Sequence, residues 1–183
     1  IEFRDVNFRY DCDKEWILKG IHLRIPTGQR TAIVGPIGSG KSTLINMLSR
    51  IIPVNDQSIF IDGVDINTID IKALRKYIGF VPQETFLFSE RIEDNILFGV
   101  ETGKDNNNVQ QFARIAGIEE EIQELPQKYE SYLGERGINL SGGQKQRITI
   151  ARALAIQPSI IILDDCLSAV DARVEGTIMK NIL

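Results

Sequence analysis

Gly35-Pro36-Ile37-Gly38-Ser39-Gly40-Lys41-Ser42-Thr43 is the stretch from which the rest of the chain can be read. It fits G-x-x-x-x-G-K-[ST], the pattern of a phosphate-binding loop. Thr31-Ala32-Ile33-Val34 precedes it, a short apolar run suited to a buried strand. Leu44, Ile45, Met47 and Leu48 follow it, spaced for the apolar face of a helix. That strand–loop–helix order is the context the motif requires. Gly35, Gly38 and Gly40 permit backbone angles and close approaches that a Cβ would block. The amides they free point at anions from a helix N-terminus. Lys41 is placed to reach β and γ phosphates, and the Ser42 hydroxyl to bind Mg²⁺. The bland alternative is a glycine-rich turn that binds nothing.

The 183 residues suffice for one domain with a sizeable core. An apolar share of 43% and a charged share of 25% are those of an ordinary soluble globular protein. A net charge of −4 argues against nucleic acid as a partner. No apolar run approaches the roughly 18 residues of a membrane span. The first residue is Ile1, so the expectation is a domain cut from something longer. Cys12 and Cys166 are the only cysteines; they allow one disulfide, but two isolated cysteines read more readily as buried or free thiols in a reducing compartment. His22 is the only histidine, which rules out a Cys/His metal cluster.

Ile1 to Tyr10 alternates apolar and polar residues as a strand does. Asp11-Cys12-Asp13-Lys14 reads as a turn, and Leu18 to Ile25 as a second strand antiparallel to the first. Pattern alone makes Tyr10 a half-buried strand residue; the functional alternative is a ring that stacks on a base. Ser58 to Ile61 with Asp62-Gly63 reads as strand and turn, Ile71 to Tyr77 as a short helix, and Ile78 to Val81 as a buried strand. Gln83 follows directly, at the strand end where ligands bind in open α/β sheets, or else is an exposed loop glutamine.

From Glu84 to Gly137 the periodicity becomes helical. Val109, Phe112, Ala113, Ile115 and Ala116 share one face, and Ile118 to Leu125 forms a second, acidic helix. Glu101 to Asn108 is the most polar loop. Leu140-Ser141-Gly142-Gly143-Gln144 then opens a helix with Ile148, Ala151, Leu154 and Ala155 on one face. Ser141 is a good N-cap, and the two glycines open the amides to an anion. Ile160 to Leu163 is a continuous apolar run that suits a central parallel strand. It delivers Asp164 and Asp165, adjacent carboxylates that repel each other unless a cation is near. A metal-bound nucleotide supplies one; a solvated strand end is the alternative. Ser168-Ala169-Val170-Asp171 turns into a last helix that runs to Leu183.

Taken together, these motifs resemble the nucleotide-binding domain of ABC transporters over essentially the whole chain. Gly35, Pro36, Ile37, Gly38, Ser39, Gly40, Lys41, Ser42 and Thr43 match the phosphate loop. Gln83 matches the Q-loop glutamine, which in the family touches Mg²⁺ and water. Ser141, Gly142, Gly143 and Gln144, after Leu140, match the signature LSGGQ without deviation. Ile160 to Asp164 match the Walker B strand and its Mg²⁺-binding aspartate, Ser168 to Asp171 the D-loop, and Tyr10 the aromatic that stacks on adenine. Leu87-Phe88-Ser89, Asn95 to Gly99 and Gly134 to Gly137 look like exporter-type domains, in which the stretch around Glu135 contacts coupling helices of the transmembrane part.

The resemblance implies an α/β fold. It is a RecA-like P-loop NTPase core over 1–83 and 145–183, with an N-terminal antiparallel β layer. A helical subdomain at 84–144 is inserted and ends in the signature, and the C-terminal end of the fold is truncated. The implied ligands are ATP and Mg²⁺, with Ser42, Gln83 and Asp164 toward the metal and Lys41, Gln83 and Asp165 in hydrolysis. The implied partners are a second such domain, as heterodimer or homodimer, and a transmembrane domain that holds the chain at the cytoplasmic face of a membrane. Transported substrate is chosen by transmembrane helices absent from this stretch.

Two departures stand out. The residue after Asp164 is normally Glu, which polarises the attacking water; here it is Asp165, shorter by one methylene. A carboxylate displaced by about 1 Å costs on the order of 100-fold in rate. This weakens the chain's own hydrolytic site and favours a heterodimer with a partner that retains the glutamate. The family's switch histidine and closing strands belong beyond Leu183, and His22 does not match that position. The rival reading is a soluble ABC ATPase acting on nucleic acid or ribosomes. A third is a nucleotide-dependent dimerisation module that hardly turns ATP over.

Overall fold

A computed structural model describes residues 1–11, 15–100, 108–137 and 139–182. They form two compact units, 1–75 and 76–183. The expected turn at 11–14 lies largely outside the described residues, as do Cys12, most of the polar loop at 101–108, and Leu183.

The first unit is built on an antiparallel sheet. Strands β1 (Glu2–Phe8) and β2 (Leu18–Arg24) pair as their alternation predicts, with Phe3 opposite Leu23 and Val6 opposite Ile21. The register shifts between Phe3 and Val6 and again between Val6 and Phe8, and Asp5, within the first shift, has φ 48°. Helix α1 (Lys41–Leu48) buries Thr43, Leu44, Met47 and Leu48, which recur at helical spacing. Strands β3 (Ile59–Ile61) and β4 (Val64–Asp65) complete the sheet in the order β2-β1-β3-β4. Arg75 in helix α2 (Ile71–Lys76) donates to the Ser49 and Arg50 carbonyls, and Arg50 to those of Ile66 and Ile69. The two Arg75 bonds satisfy carbonyls at and beyond the C-terminus of α1 that have no helical partner, and the Arg50 bonds tie that end to residues 66–69.

The run Thr31 to Val34 does not form the expected buried strand. Val34 is 87% exposed, and 31–34 stands in no ladder among the described residues. A parallel strand is stabilised only by neighbours distant in sequence. An apolar tetrapeptide therefore states a tendency that pairing has to complete.

The second unit carries strand β5 (Ile78–Val81), helices α3 (Ile92–Ile96), α4 (Val109–Ile115), α5 (Glu119–Glu124) and α6 (Gly142–Ala155), strand β6 (Ile160–Leu163) and helix α7 (Ala172–Asn181). Its core gathers Val81, Leu87, Ile92, Ile96, Phe112, Ile118, Ile122, Leu133, Ile148 and Ile150 around α6. Strands β5 and β6 pair in parallel from Ile78 opposite Ile160 to Val81 opposite Leu163. The apolar run of β6 is parallel, as expected, but not central: among the described residues it pairs with β5 alone, and of the strand only Ile162 is buried. Helix α3 was not visible as a periodic pattern. The last helix ends at Asn181 rather than Leu183.

Gly79 shows how closely β5 meets α6. A Cβ there would lie 2.7 Å from the Ala153 carbonyl oxygen and 2.7 Å from Pro158 Cγ. No larger residue fits without moving backbone.

Candidate active site

Each unit contributes a constellation, described within that unit. In the first, the loop before α1 turns through Gly38 at φ 82° and Gly40 at φ 85°, left-handed values that side chains other than glycine rarely adopt. Gly40 is also held close: a Cβ would meet Leu18 Cδ2 at 2.8 Å and Ile17 Cγ2 at 2.9 Å. Lys41 folds its ammonium back over the loop and donates to the carbonyls of Gly35 and Pro36 at 2.8 Å each, and to Ser39 Oγ at 3.4 Å. A cation thus lies against the backbone of the loop that leads into α1. The neutral acceptors it now holds are weaker partners than a phosphate oxygen would be. Loop, dipole and ammonium together fit a phosphate.

Tyr10 stands at the same end of the unit. Its hydroxyl is 3.4 Å from Thr43 Oγ1, and its ring is 61% exposed and edge-on to Phe8 at 5.0 Å. The half-buried strand residue that the pattern favoured is therefore wrong; an exposed ring tethered to α1 is what a stacking platform requires. Ile37, at the tip of the loop, is fully exposed.

In the second unit, the parallel pairing of β5 with β6 brings Gln83 and Asp165 together. Gln83 Nε2 donates to Asp165 Oδ2 at 3.1 Å. Asp165 has φ 47°, a left-handed conformation that Asp tolerates better than most side chains. Ser168 Oγ donates to its carbonyl at 3.2 Å. Asp164 donates its backbone N–H to Val81 at 2.9 Å, which continues the ladder into the aspartate pair. Cys166 follows directly and is buried. Burial, with Asp164 and Asp165 adding to it, pushes its thiol up to about 11.

The Ser141 end of α6 is built as a capping box. Ser141 Oγ accepts from the Gln144 N–H at 3.2 Å, while Gln144 Oε1 accepts from the Ser141 N–H at 2.8 Å. Gln144 Nε2 donates onward to Glu121 at 2.7 Å, and Arg147 donates to Glu121, to Gly117 O and to Gly143 O. Burial raises the Glu121 carboxyl, but the hydrogen bonds from Arg147 and Gln144 outweigh it and hold the pKa below the ordinary carboxylate value. The Gln144 side chain is therefore occupied in structure. Ser141 and Gly142 are the exposed residues of this end. Gly143 packs on the chain after β6: a Cβ would lie 2.8 Å from the Ala169 carbonyl oxygen.

Sequence reasoning singled out the phosphate loop, Tyr10, Gln83, the aspartates and the signature as candidates. It missed Glu121, Gln146 and Arg147, whose partners are distant in sequence. Only the S-x-x-Q spacing of the capping box was available as a local signal.

The pattern of the family described as ABC transporter matches residues 18–168. The chain belongs to the ABC transporter family. It is an ABC-type ATPase domain, and its relatives include proteins named for multidrug resistance and lipid A-core flipping. It is 46% identical over 182 residues to a Bacillus subtilis protein named probable multidrug resistance ABC transporter ATP-binding/permease protein YheI, covering 100% of this chain and 31% of that one. It is 43% identical over 180 residues to the ATP-dependent lipid A-core flippase of Desulfotalea psychrophila, covering 98% and 31%. Among solved structures, that of a bacterial Atm1-family ABC exporter with ATP bound matches with a TM-score of 0.92 and 41% identity, over 99% of this chain and 32% of that one. This ABC domain thus spans under a third of the length of these relatives. No helix of the described residues is long and apolar enough to cross a membrane.

Proposed function

We propose that this chain is the ATP-hydrolysing motor domain of an ABC exporter, working as one of a pair that closes around ATP. The observation that carries the reading is the Lys41 ammonium held within the glycine loop at the start of α1. Gly35 to Thr43 would bind the phosphates, and Tyr10 would stack on the base. Ser42, Gln83 and Asp164 would hold Mg²⁺, which when bound neutralises phosphate charge. With Gln83 donating from Nε2 to Asp165, its Oε1 remains the atom suited to a metal. Asp165 would orient water for attack.

The partner is a second domain of the same kind, whose phosphate loop would meet Ser141, Gly142 and Gly143 of this chain. A transmembrane domain follows the opening and closing of the pair, which sets this chain at the cytoplasmic face of a membrane. The complete signature beside the shortened Asp165 favours a heterodimer: a slow site on this chain's own phosphate loop and a fast one on the partner's. Substrate export and nucleotide exchange then depend on the fast site. The test uses the full-length protein with and without a candidate partner. Ser141→Arg should abolish turnover at the partner's site and leave nucleotide binding at this chain's own loop intact. Ordinary turnover by the protein alone as a homodimer would overturn the asymmetric reading.

A further inference from the structure

Gln146 is 6% exposed, and neither the phosphate loop nor the signature pattern explains a buried amide at this position. Both ends of that amide are occupied by the turn after β6. Its Oε1 accepts from the Ala169 N–H at 3.1 Å, and its Nε2 donates to Ser168 Oγ at 3.4 Å. Ser168, with its one proton, donates in turn to the Asp165 carbonyl. The chain of bonds runs from α6 to the backbone of the residue at the water-orienting position. The first turn of α6 leans on the same segment through Gly143, which has no room for a Cβ against Ala169 O.

We propose that Gln146 is a positioning residue that locks the Asp165–Ala169 turn to the signature end of α6, so that the two move as one body. This rests on the reading of the chain as an ATPase that uses Asp165 on its own nucleotide and Ser141 to Gly143 on its partner's. Asp165 sits in a left-handed conformation that costs of the order of 1 kcal/mol and persists only where neighbours fix it. The Ser168 bond to its carbonyl is one such restraint, and Gln146 holds Ser168. A buried amide with both ends bonded gives the turn one orientation, where an apolar residue of the same volume would only fill space. Through Gln146, closure on the partner's nucleotide is felt at the acid that serves this chain's own.

Two substitutions separate this from a packing role, tested in the full-length protein. Gln146→Met keeps length and volume and removes the amide. Ser168→Ala removes a hydroxyl from a position that contributes nothing to the core. Two readouts are needed. Without nucleotide, amide hydrogen exchange of residues 165–170 should accelerate about tenfold or more in Gln146→Met, while exchange in α4 and α5 stays as it was. In steady-state kinetics, each substitution should lower kcat about tenfold at unchanged KM for ATP. The double substitution should be no worse than the single ones, because both cut one path. Unchanged exchange at 165–170 in Gln146→Met would overturn the proposal whether or not the protein turns over. So would additive losses, or a rise in KM that tracks a general loss of stability. Absence of turnover in the unsubstituted protein would sink the ATPase reading and leave the exchange experiment to decide the lock.

Discussion

Gln83 and Asp165, 82 residues apart in the chain, are joined by a hydrogen bond of 3.1 Å from the Gln83 amide to the Asp165 carboxylate. The glutamine after one strand thus holds the acid after the neighbouring strand. The acid is one methylene shorter than glutamate, so under the proposed function its reach toward a water would be set by the backbone at 165. Asp165→Glu should therefore raise turnover at this chain's own site by between about 10-fold and 100-fold. Single-turnover hydrolysis in the full-length protein measures this; an unchanged rate means the aspartate already reaches the water.

Lys41→Ala should weaken ATP binding by at least about 100-fold, since it removes the ammonium seated in the loop, which under the proposed function would form charge-assisted bonds to phosphate. Titration calorimetry with ATP gives the answer directly. Equal affinity in the substituted protein would remove Lys41 from the binding site.

Gly143→Ala should destabilise the second unit by about 1–3 kcal/mol and slow hydrolysis at the partner's site. The added methyl would sit 2.8 Å from a backbone oxygen that cannot swing away as a side chain can. Gly142→Ala, whose Cβ would lie 3.5 Å from the Ala169 Cβ, should be far milder in denaturant unfolding. Equal midpoints for the two would contradict the packing.

Cys166 makes stability depend on pH on the alkaline side. Burial pushes the folded thiol from 9.0 up to about 11. The unfolded chain loses that proton first, so the stabilisation is fully present below pH 9 and is lost as pH rises from 9 toward 11. Tyr129, pushed up to about 12 chiefly by burial, adds a second loss above pH 10. Unfolding midpoints measured from pH 8 to 11 should fall, with a shallower slope between 9 and 10 in Cys166→Ala. Iodoacetamide should label the native thiol slowly at pH 8.

Much of this arrangement is written locally. The alternation of Glu2 to Phe8 specifies β1, and Ser141 with Gln144 specifies the start of α6, because strand period and helix cap are properties of neighbouring residues. Thr31 to Val34 misled because its burial depends on strands elsewhere. Helix α3 has five residues, too few to show a period, and is fixed instead by Asn95. That side chain is fully buried and bonds to Phe88 N–H and O, to Arg91 O and to Arg152. The same holds for the site. Lys41 could be read from its motif, whereas Glu121 and Gln146 acquire meaning only beside Arg147 and Ser168.

The pairing of β5 with β6 has a consequence for how the chain tolerates change in length. Val81 and Leu163 close a loop that contains every helix from α3 to α6. Closure entropy grows only with the logarithm of loop length, so ten more residues between these strands would cost about 0.1 kcal/mol in the ladder. The ladder, and the aspartate pair it carries, is therefore nearly indifferent to the length of chain between its two strands.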